Sequence, residues 1–195
     1  VTAEEFGALR SDLDRILARL DEIFGDTTEA GPPVVELVNM PSLLVEVQGV
    51  ARLMFDQAGC PLHVNSFGMA GVQPHSDSLK LRRVLFDLIE HAFRRQQGRG
   101  VSVDVAVSGP SLILSAEENG PCIPDDELAA LVAGRSSDPV LMRLHEVTAA
   151  LGGRLEGVNL SCGFRLSIRY AQAVFSSQSR PFLRRAFARM TSLRM

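Results

Sequence analysis

The segment between about residue 79 and residue 97 constrains the fold more than any other part of the chain. Its apolar residues recur at steps of three and four, which places them on one broad face of a helix. They are Leu81, Val84, Leu85, Leu88, Ile89, Ala92 and Phe93. A face this wide has to be covered by a sheet or by other helices, so the segment predicts the central helix of a layered domain. Asp77 or Ser78 stands where a capping residue is expected.

Strand-like segments surround this helix. Residues 61–67 and 101–109 alternate apolar and polar side chains, and a glycine–proline turn leads into a further strand, 111–118. From residue 34 the predicted order is strand, helix, strand, helix, two strands, two helices, two strands. This mixture favours an α+β fold, a two-layer α/β sandwich with helices on one face of a largely antiparallel sheet.

Composition excludes several classes of function. The chain of 195 residues has a net charge of −3, so it has no overall basic field to attract nucleic acid. No apolar run is long enough to span a membrane, and the first residues lack the pattern of a signal peptide. Cys60, Cys122 and Cys162 are scattered, which suggests a reducing cytoplasm. Neither they nor the four histidines show metal-ligand spacing, so we expect a cytoplasmic protein without a bound metal.

The first 25 residues predict a helix of a different kind. Between residues 4 and 24 a narrow apolar seam recurs at alternating steps of three and four, as in a coiled coil. The seam consists of Phe6, Leu9, Leu13, Ile16, Leu20 and Ile23. A short helix with one narrow seam is marginal alone, so we predict a homodimer with these residues at the interface. The alternative is that the helix folds back on its own domain.

Changes in composition mark the boundaries between segments. We divide the chain into a dimerisation helix (1–25), a linker (26–33), a globular domain (34–170) and a tail (171–195). The tail has five arginines and no acidic residue, with apolar side chains at helical spacing. A basic amphipathic helix of this kind is suited to weak contact with a membrane surface or a partner, and packing on its own domain is an equal alternative.

The central helix resembles the asparagine-bearing helix in the ATP-binding domain of sensor histidine kinases. Residues 83–94 read RVLFDLIEHAFR where the family has roughly R-V-L-x-N-L-L-x-N-A-x-K. The apolar positions and the final base are kept, but Asp87 and His91 replace the two asparagines. These positions lie four apart and share one helical face, which the resemblance places against the phosphates of ATP. It also implies a Mg²⁺ ligand at position 91, for which the nitrogen of a histidine is a poor replacement.

A second motif follows at residues 118–124, where ENGPCIP stands for the family's D-x-G-x-G-I-P. The resemblance implies that the first residue accepts a hydrogen bond from the adenine amine. Glu118 keeps a carboxylate there, followed by Asn119 and Gly120. Cys122 replaces a glycine, and a residue with a Cβ costs on the order of 1 kcal/mol or more wherever φ must be positive.

The third motif of the family, the lid sequence G-x-G-L-G-L, is the most altered. Its glycine positions fall on Ser136, Asp138 and Val140. Downstream, the turn at Gly152 and Gly153 and the closing strand match the family again. The chain therefore resembles a GHKL-type histidine kinase ATPase domain, preceded by part of the dimerisation helix, in which the scaffold is kept and all three nucleotide motifs are degenerate.

These observations predict a signalling or adaptor protein of the two-component type, a pseudokinase without catalytic residues and without a cofactor. It would form dimers and bind a response regulator or a histidine kinase. Its vestigial nucleotide pocket would comprise Asp87, His91, Glu118, Asn119 and Gly120.

Two alternatives remain open. One is a divergent but active kinase domain that binds ATP and Mg²⁺. The other is a histidine phosphotransfer protein. Residues 1–62, which include the predicted dimerisation helix, contain no histidine, and the one local match to a phosphoacceptor is His145 followed by Glu146.

Overall fold

The structure is a computed structural model, and it describes residues 33–69 and 73–170. Its helices are α1 (Met40–Ala58), α2 (Ser78–Arg95), α3 (Asp125–Val132) and α4 (Pro139–Ala150). Its strands are β1 (Glu36–Leu37), β2 (Leu62–Phe67), β3 (His75–Ser76), β4 (Val101–Ser108), β5 (Ser111–Glu118), β6 (Gly153–Leu160) and β7 (Gly163–Tyr170). The predicted dimerisation helix and the basic tail lie outside the described residues.

Five of the strands form one sheet, in the order β2-β4-β5-β7-β6. β2 runs parallel to β4, which the chain reaches through α2, and the other neighbours are antiparallel. α2 packs on β4 and β5, and α4 packs on α2 and β6. This arrangement confirms the predicted α+β sandwich with a largely antiparallel sheet.

The helix ends follow from local chemistry. Asn39 accepts a hydrogen bond from the backbone N–H of Ser42 at the start of α1, and Gly59 ends that helix with a φ of 64°. Asp77 caps α2 by accepting from the N–H of Lys80 at 3.0 Å. The second oxygen of Asp77 accepts from the N–H of Val34 at 2.9 Å, so one carboxylate fixes both the central helix and the entry to the domain.

The apolar face of α2 lies in the middle of the core. Leu81, Val84, Leu85, Leu88, Ile89 and Ala92 are each no more than 2% exposed. The inward-facing residues of the sheet cover them, among which Val103, Val105, Leu114, Leu166 and Ile168 are equally buried. This packing sets the orientation of the whole helix, and it thereby determines where the polar residues of α2 point.

One local prediction is wrong. The sequence of residues 68–77 indicates a loop, but His75 and Ser76 form β3, which pairs with β1 in a small separate antiparallel sheet. A two-residue strand has no alternation that a sequence pattern can reveal. None of the described helices is both long and apolar enough to cross a lipid bilayer.

Candidate functional site

The polar side of α2 contains a buried ion cluster centred on Asp87. Its carboxylate is fully buried and receives two hydrogen bonds from Arg143 of α4, at 2.9 Å from Nε and 2.8 Å from Nη2. Arg83, one turn earlier on α2, places its Nε 2.9 Å from the same carboxylate. Burial raises the pKa of Asp87, and the hydrogen bonds and charges of the two arginines counteract that rise. Both carboxylate oxygens are therefore engaged by cations of the chain itself.

Glu90 extends this cluster along the helix. It is 3% exposed, forms an ion pair with Arg94 one turn later, and lies 3.8 Å from Arg143. Burial raises the pKa of Glu90; the charge of Arg94 lowers it and that of Asp87 adds to the rise. Arg143 thus spans two acidic residues on α2 and attaches α4 to the central helix.

His91 lies on the same side of α2 and is 5% exposed. Its ring meets that of Phe164 edge to face, with 6.4 Å between centroids, and its Nε2 has no hydrogen-bond partner among the described residues. Burial and the charge of Arg95 lower its pKa to about 4, although Asp138 acts in the opposite direction. The imidazole is therefore neutral at physiological pH and forms no ion pair.

Glu118, at the end of β5, faces the same region from the sheet. It is 3% exposed, and Arg95 of α2 donates from Nε to its Oε1 at 2.9 Å. The backbone N–H of Gly120 donates to the other oxygen. The neighbouring Glu117 points the opposite way and pairs with Arg165 on the exposed face of the sheet, as expected for adjacent residues of a strand.

Arg95 holds several parts of this region together. Besides its ion pair with Glu118, it donates from Nη2 to the backbone carbonyl of Pro121, and its guanidinium carbon lies 5.6 Å from the centroid of the Phe164 ring. Asn119 accepts a hydrogen bond from the N–H of Gln97 at 3.2 Å. The loop after β5 is consequently attached to the end of α2 at several points.

The segment that aligns with the glycine-rich lid begins a helix instead. Asp138 caps α4 by accepting from the N–H of Val140 at 2.8 Å, and its own N–H donates to Ser136 at 3.1 Å. His145 is partly exposed, and its ring lies against Gly134, where a Cβ would overlap it. The replacements for the lid glycines therefore have a structural role in starting α4.

The structure brings Asp87, His91, Glu118, Asn119 and Gly120 into one region, and it adds arginines that the sequence did not single out. Arg83 and Arg94 lie four residues from Asp87 and Glu90, a spacing that predicts ion pairs on a helix. No comparable signal marks Arg143. Cys122 keeps a negative φ, because no described residue other than glycine has a positive one, so the expected strain does not arise.

The described residues also do not meet the requirements of a metal site. Within the two described ranges, no group of three or more His, Cys, Asp or Glu side chains is placed to hold one. Two clefts of about 170 and 150 Å³ lie elsewhere, one beside Tyr170 and Leu151 and the other beside Leu37 and Ser42. Neither cleft is lined by Asp87, His91 or Glu118.

No protein-family profile matches the chain, and no curated protein matches it by sequence. Solved structures match it by fold. The nucleotide-free catalytic domain of the histidine kinase ThkA superposes with a TM-score of 0.64 at 14% identity, covering 71% of this chain and 96% of that domain. Full-length ShkA in complex with AMPPNP gives 0.65 at 22% identity, covering 91% of this chain and 41% of ShkA.

The histidine kinase ThkA in complex with the response regulator protein TrrA gives a TM-score of 0.66 at 14% identity, covering 91% of this chain and 52% of that one. The chain thus spans about half or less of the two longer proteins. At these identities the likeness is one of fold.

Proposed function

The described residues have the fold of a GHKL-type histidine kinase catalytic domain, and on that basis we propose that the chain is a pseudokinase of two-component signalling. Its nucleotide site has been replaced by internal ion pairs. The protein acts by forming dimers and by binding a response regulator or a histidine kinase, and it does not transfer phosphate from ATP.

The ion cluster on α2 is the observation that carries this proposal. Mg²⁺ requires several oxygen ligands in a tight octahedral arrangement. At the two positions that resemble the family's asparagines, Asp87 has both oxygens on Arg143 and Arg83, and His91 offers a neutral nitrogen. The guanidinium groups supply positive charge inside the protein, where Mg²⁺ would supply it in an ATP-binding relative. These residues do not fit a magnesium–triphosphate complex.

The adenine side of the site supports the same proposal. The resemblance assigns the adenine amine to the carboxylate at position 118, but Glu118 already accepts from Arg95 and from the N–H of Gly120. Moving Arg95 away would leave a buried carboxylate without its ion-pair partner, which is costly. Entry of a nucleotide would therefore have to break interactions on both sides of the region.

Calorimetry and thermal melting of the full chain with ATP and Mg²⁺ test the first part of the proposal. We expect no binding heat, because ATP does not bind. We also expect no rise in melting temperature, because a ligand raises it only by binding the native state. The Asp87→Asn/His91→Asn double variant, which restores the family's residues, should show no binding either, because Arg95 still occupies Glu118 on the adenine side. Micromolar, Mg²⁺-dependent binding by the wild-type chain would support the divergent kinase domain instead.

The partner-binding part of the proposal has a separate test. ThkA has been solved in complex with the response regulator TrrA, so response regulators are the first class to try. A pull-down from the native cytoplasm, followed by mass spectrometry, should recover a response regulator or a histidine kinase. If acid-labile phosphate appeared on His145 after incubation with a phosphorylated regulator, and not in His145→Ala, the phosphotransfer alternative would replace this one.

A further inference from the structure

Two exposed cysteines lie in segments that contact each other beside the candidate site. Cys122 is in the loop after β5, and Cys162 is in the turn between β6 and β7. The third cysteine, Cys60, is buried at the end of α1, and burial raises the pKa of its thiol. The exposed pair is therefore open to reagents from which Cys60 is shielded.

The loop and the turn run alongside each other in opposite directions. A Cβ on Gly163 would overlap the carbonyl oxygen of Glu118, so these two backbones are in direct contact. Further along, the Sγ of Cys122 lies 3.8 Å from the carbonyl oxygen of Leu160. Beyond that, the N–H of Ile123 donates to Asn159 at 2.8 Å.

Asn159 completes a two-way bridge, because its side-chain amide also donates to the carbonyl of Ile123 at 2.8 Å. The backbone next to Cys122 is thus fixed against the end of β6 without any covalent link. A bond between the two segments would join parts of the chain that are already held together.

Chain connectivity places Cys162 near the thiol of Cys122. Leu160 and Gly163 are the last residues paired between β6 and β7, so Ser161 and Cys162 alone form the turn. Cys162 directly precedes Gly163, and consecutive Cα atoms are about 3.8 Å apart. Cys122 touches the residue on the other side of the same turn. A disulfide needs Cα atoms roughly 4.4–6.8 Å apart, and the contact of Cys122 with the residue two before Cys162 puts the two cysteines in touching segments.

We propose that Cys122 and Cys162 form a modification site, a dithiol that a low-molecular-weight disulfide such as oxidised glutathione converts reversibly to an intramolecular disulfide. One thiol loses its proton and attacks the small disulfide, which forms a mixed disulfide and releases one small thiolate. The second protein thiolate attacks the protein sulfur of that mixed disulfide and displaces the other small thiolate. The two protons lost by the protein end on the two small thiols, and the protein is oxidised by two electrons.

The bond would join the loop that carries Glu118, Asn119 and Gly120 to the turn between β6 and β7. Exposed disulfides are the ones that exchange readily with small thiols, so the site is suited to a reversible change. The disulfide would lie beside the candidate site, and its formation does not depend on whether the pocket binds a nucleotide.

Oxidation of the full chain with increasing oxidised glutathione, followed by intact-mass measurement and peptide mapping without reduction, tests the proposal. We expect the wild-type mass to fall by two hydrogens and a single cross-linked peptide pair that contains Cys122 and Cys162. Cys60 should remain a free thiol. Both positions are exposed, so Cys122→Ser and Cys162→Ser should melt like the reduced wild type.

Each serine variant keeps one exposed thiol and should instead gain one glutathione, since no second thiol can displace it. The oxidised wild type should melt at a higher temperature than the reduced form, and neither variant should show this shift. Two glutathiones on the wild type, cross-links only between molecules, or a wild type that stays reduced under conditions that modify both variants would each overturn the proposal.

Discussion

Arg143 donates two hydrogen bonds to the carboxylate of Asp87, at 2.9 and 2.8 Å, across 56 residues of sequence. The contact joins α4 to the central helix at the position where the resemblance expects an asparagine beside the phosphates. If the site had only lost the ability to bind a nucleotide, no interaction would favour a particular residue at position 87. The bidentate geometry instead gives Asp87 a structural partner, so the ion cluster should contribute measurably to the stability of the fold.

Substitution of Asp87 by alanine is therefore expected to destabilise the protein strongly. It removes the buried carboxylate that Arg83 and Arg143 both contact. Breaking a buried pair in this way costs about 3–5 kcal/mol, which urea unfolding would measure as a drop in midpoint. The double variant Asp87→Ala/Arg143→Met should cost less than the sum of the single variants, because the two residues interact directly.

The exposed pair Arg165–Glu117 is the matched control for this prediction. Its side chains are 45% and 38% exposed, and a surface pair of this kind contributes about 0–1 kcal/mol. Glu117→Ala should leave the urea midpoint close to that of the wild type. If Asp87→Ala and Glu117→Ala behaved alike, the buried cluster would have no special role in stability.

Gly163 is expected to be one of the least tolerant positions in the chain. Its φ is 115°, and a Cβ there would overlap the carbonyl oxygen of Glu118. Gly163→Ala should therefore cost about 2–4 kcal/mol in the free energy of unfolding, from backbone strain and a steric clash together. The control is Gly49, inside α1, where a Cβ would meet nothing within 4 Å. Gly49→Ala should stabilise the protein by about 0.5–1 kcal/mol, since alanine favours helix.

Sequence reasoning succeeded where the determinants are local. The apolar spacing of residues 81–93 identified the central helix. The observed helix, Ser78–Arg95, begins directly after its capping residue, Asp77. The alternation of residues 101–109 and the glycine–proline turn after them predicted the strands β4 and β5. The ordered motifs then led to the correct fold class, although no single motif would have been sufficient.

The sequence did not predict the ion pairs between residues that lie far apart in the chain. Arg143, the bidentate partner of Asp87, lies 56 residues away, and Arg95, the partner of Glu118, lies 23 residues before it. Nothing local distinguishes these arginines from the other basic residues. The sequence also did not reveal the state of His91, whose Nε2 has no hydrogen-bond partner among the described residues and whose pKa is lowered by burial. The degree of burial decides the charge of an imidazole, and the sequence does not reveal it.

Dimerisation can be tested with charge substitutions that differ only in their place on the predicted N-terminal helix. Leu13→Glu with Leu20→Glu puts two charges into the apolar seam, whereas Ser11→Glu with Ala18→Glu adds them on the opposite side. Light scattering should give twice the monomer mass of 21.2 kDa for the wild type and the outer variant, and the monomer mass for the seam variant. Equal masses for all three proteins would contradict a seam-based dimer.

His91 should make stability depend on pH in a defined window. Its pKa falls from 6.5 to about 4 on folding, mainly through burial and then through the charge of Arg95, with Asp138 opposing. Between these values the unfolded chain binds a proton that the folded protein excludes, so stability is complete above the unfolded pKa and declines as pH falls towards 4. The buried carboxyls of Asp87 and Glu90, whose pKa values are raised, act in the opposite direction.

Comparison of the wild type with His91→Phe isolates this effect, because both proteins keep the same carboxyl groups and the phenyl ring can pack against Phe164 in place of the imidazole. The wild type should lose up to about 3 kcal/mol relative to the variant between pH 7 and pH 4, as expected for a shift of this size. Urea unfolding at half-unit steps of pH would give both curves. A constant difference across the range would mean that His91 has the same pKa in the folded and unfolded protein, and the lowering of its pKa by burial would then be wrong.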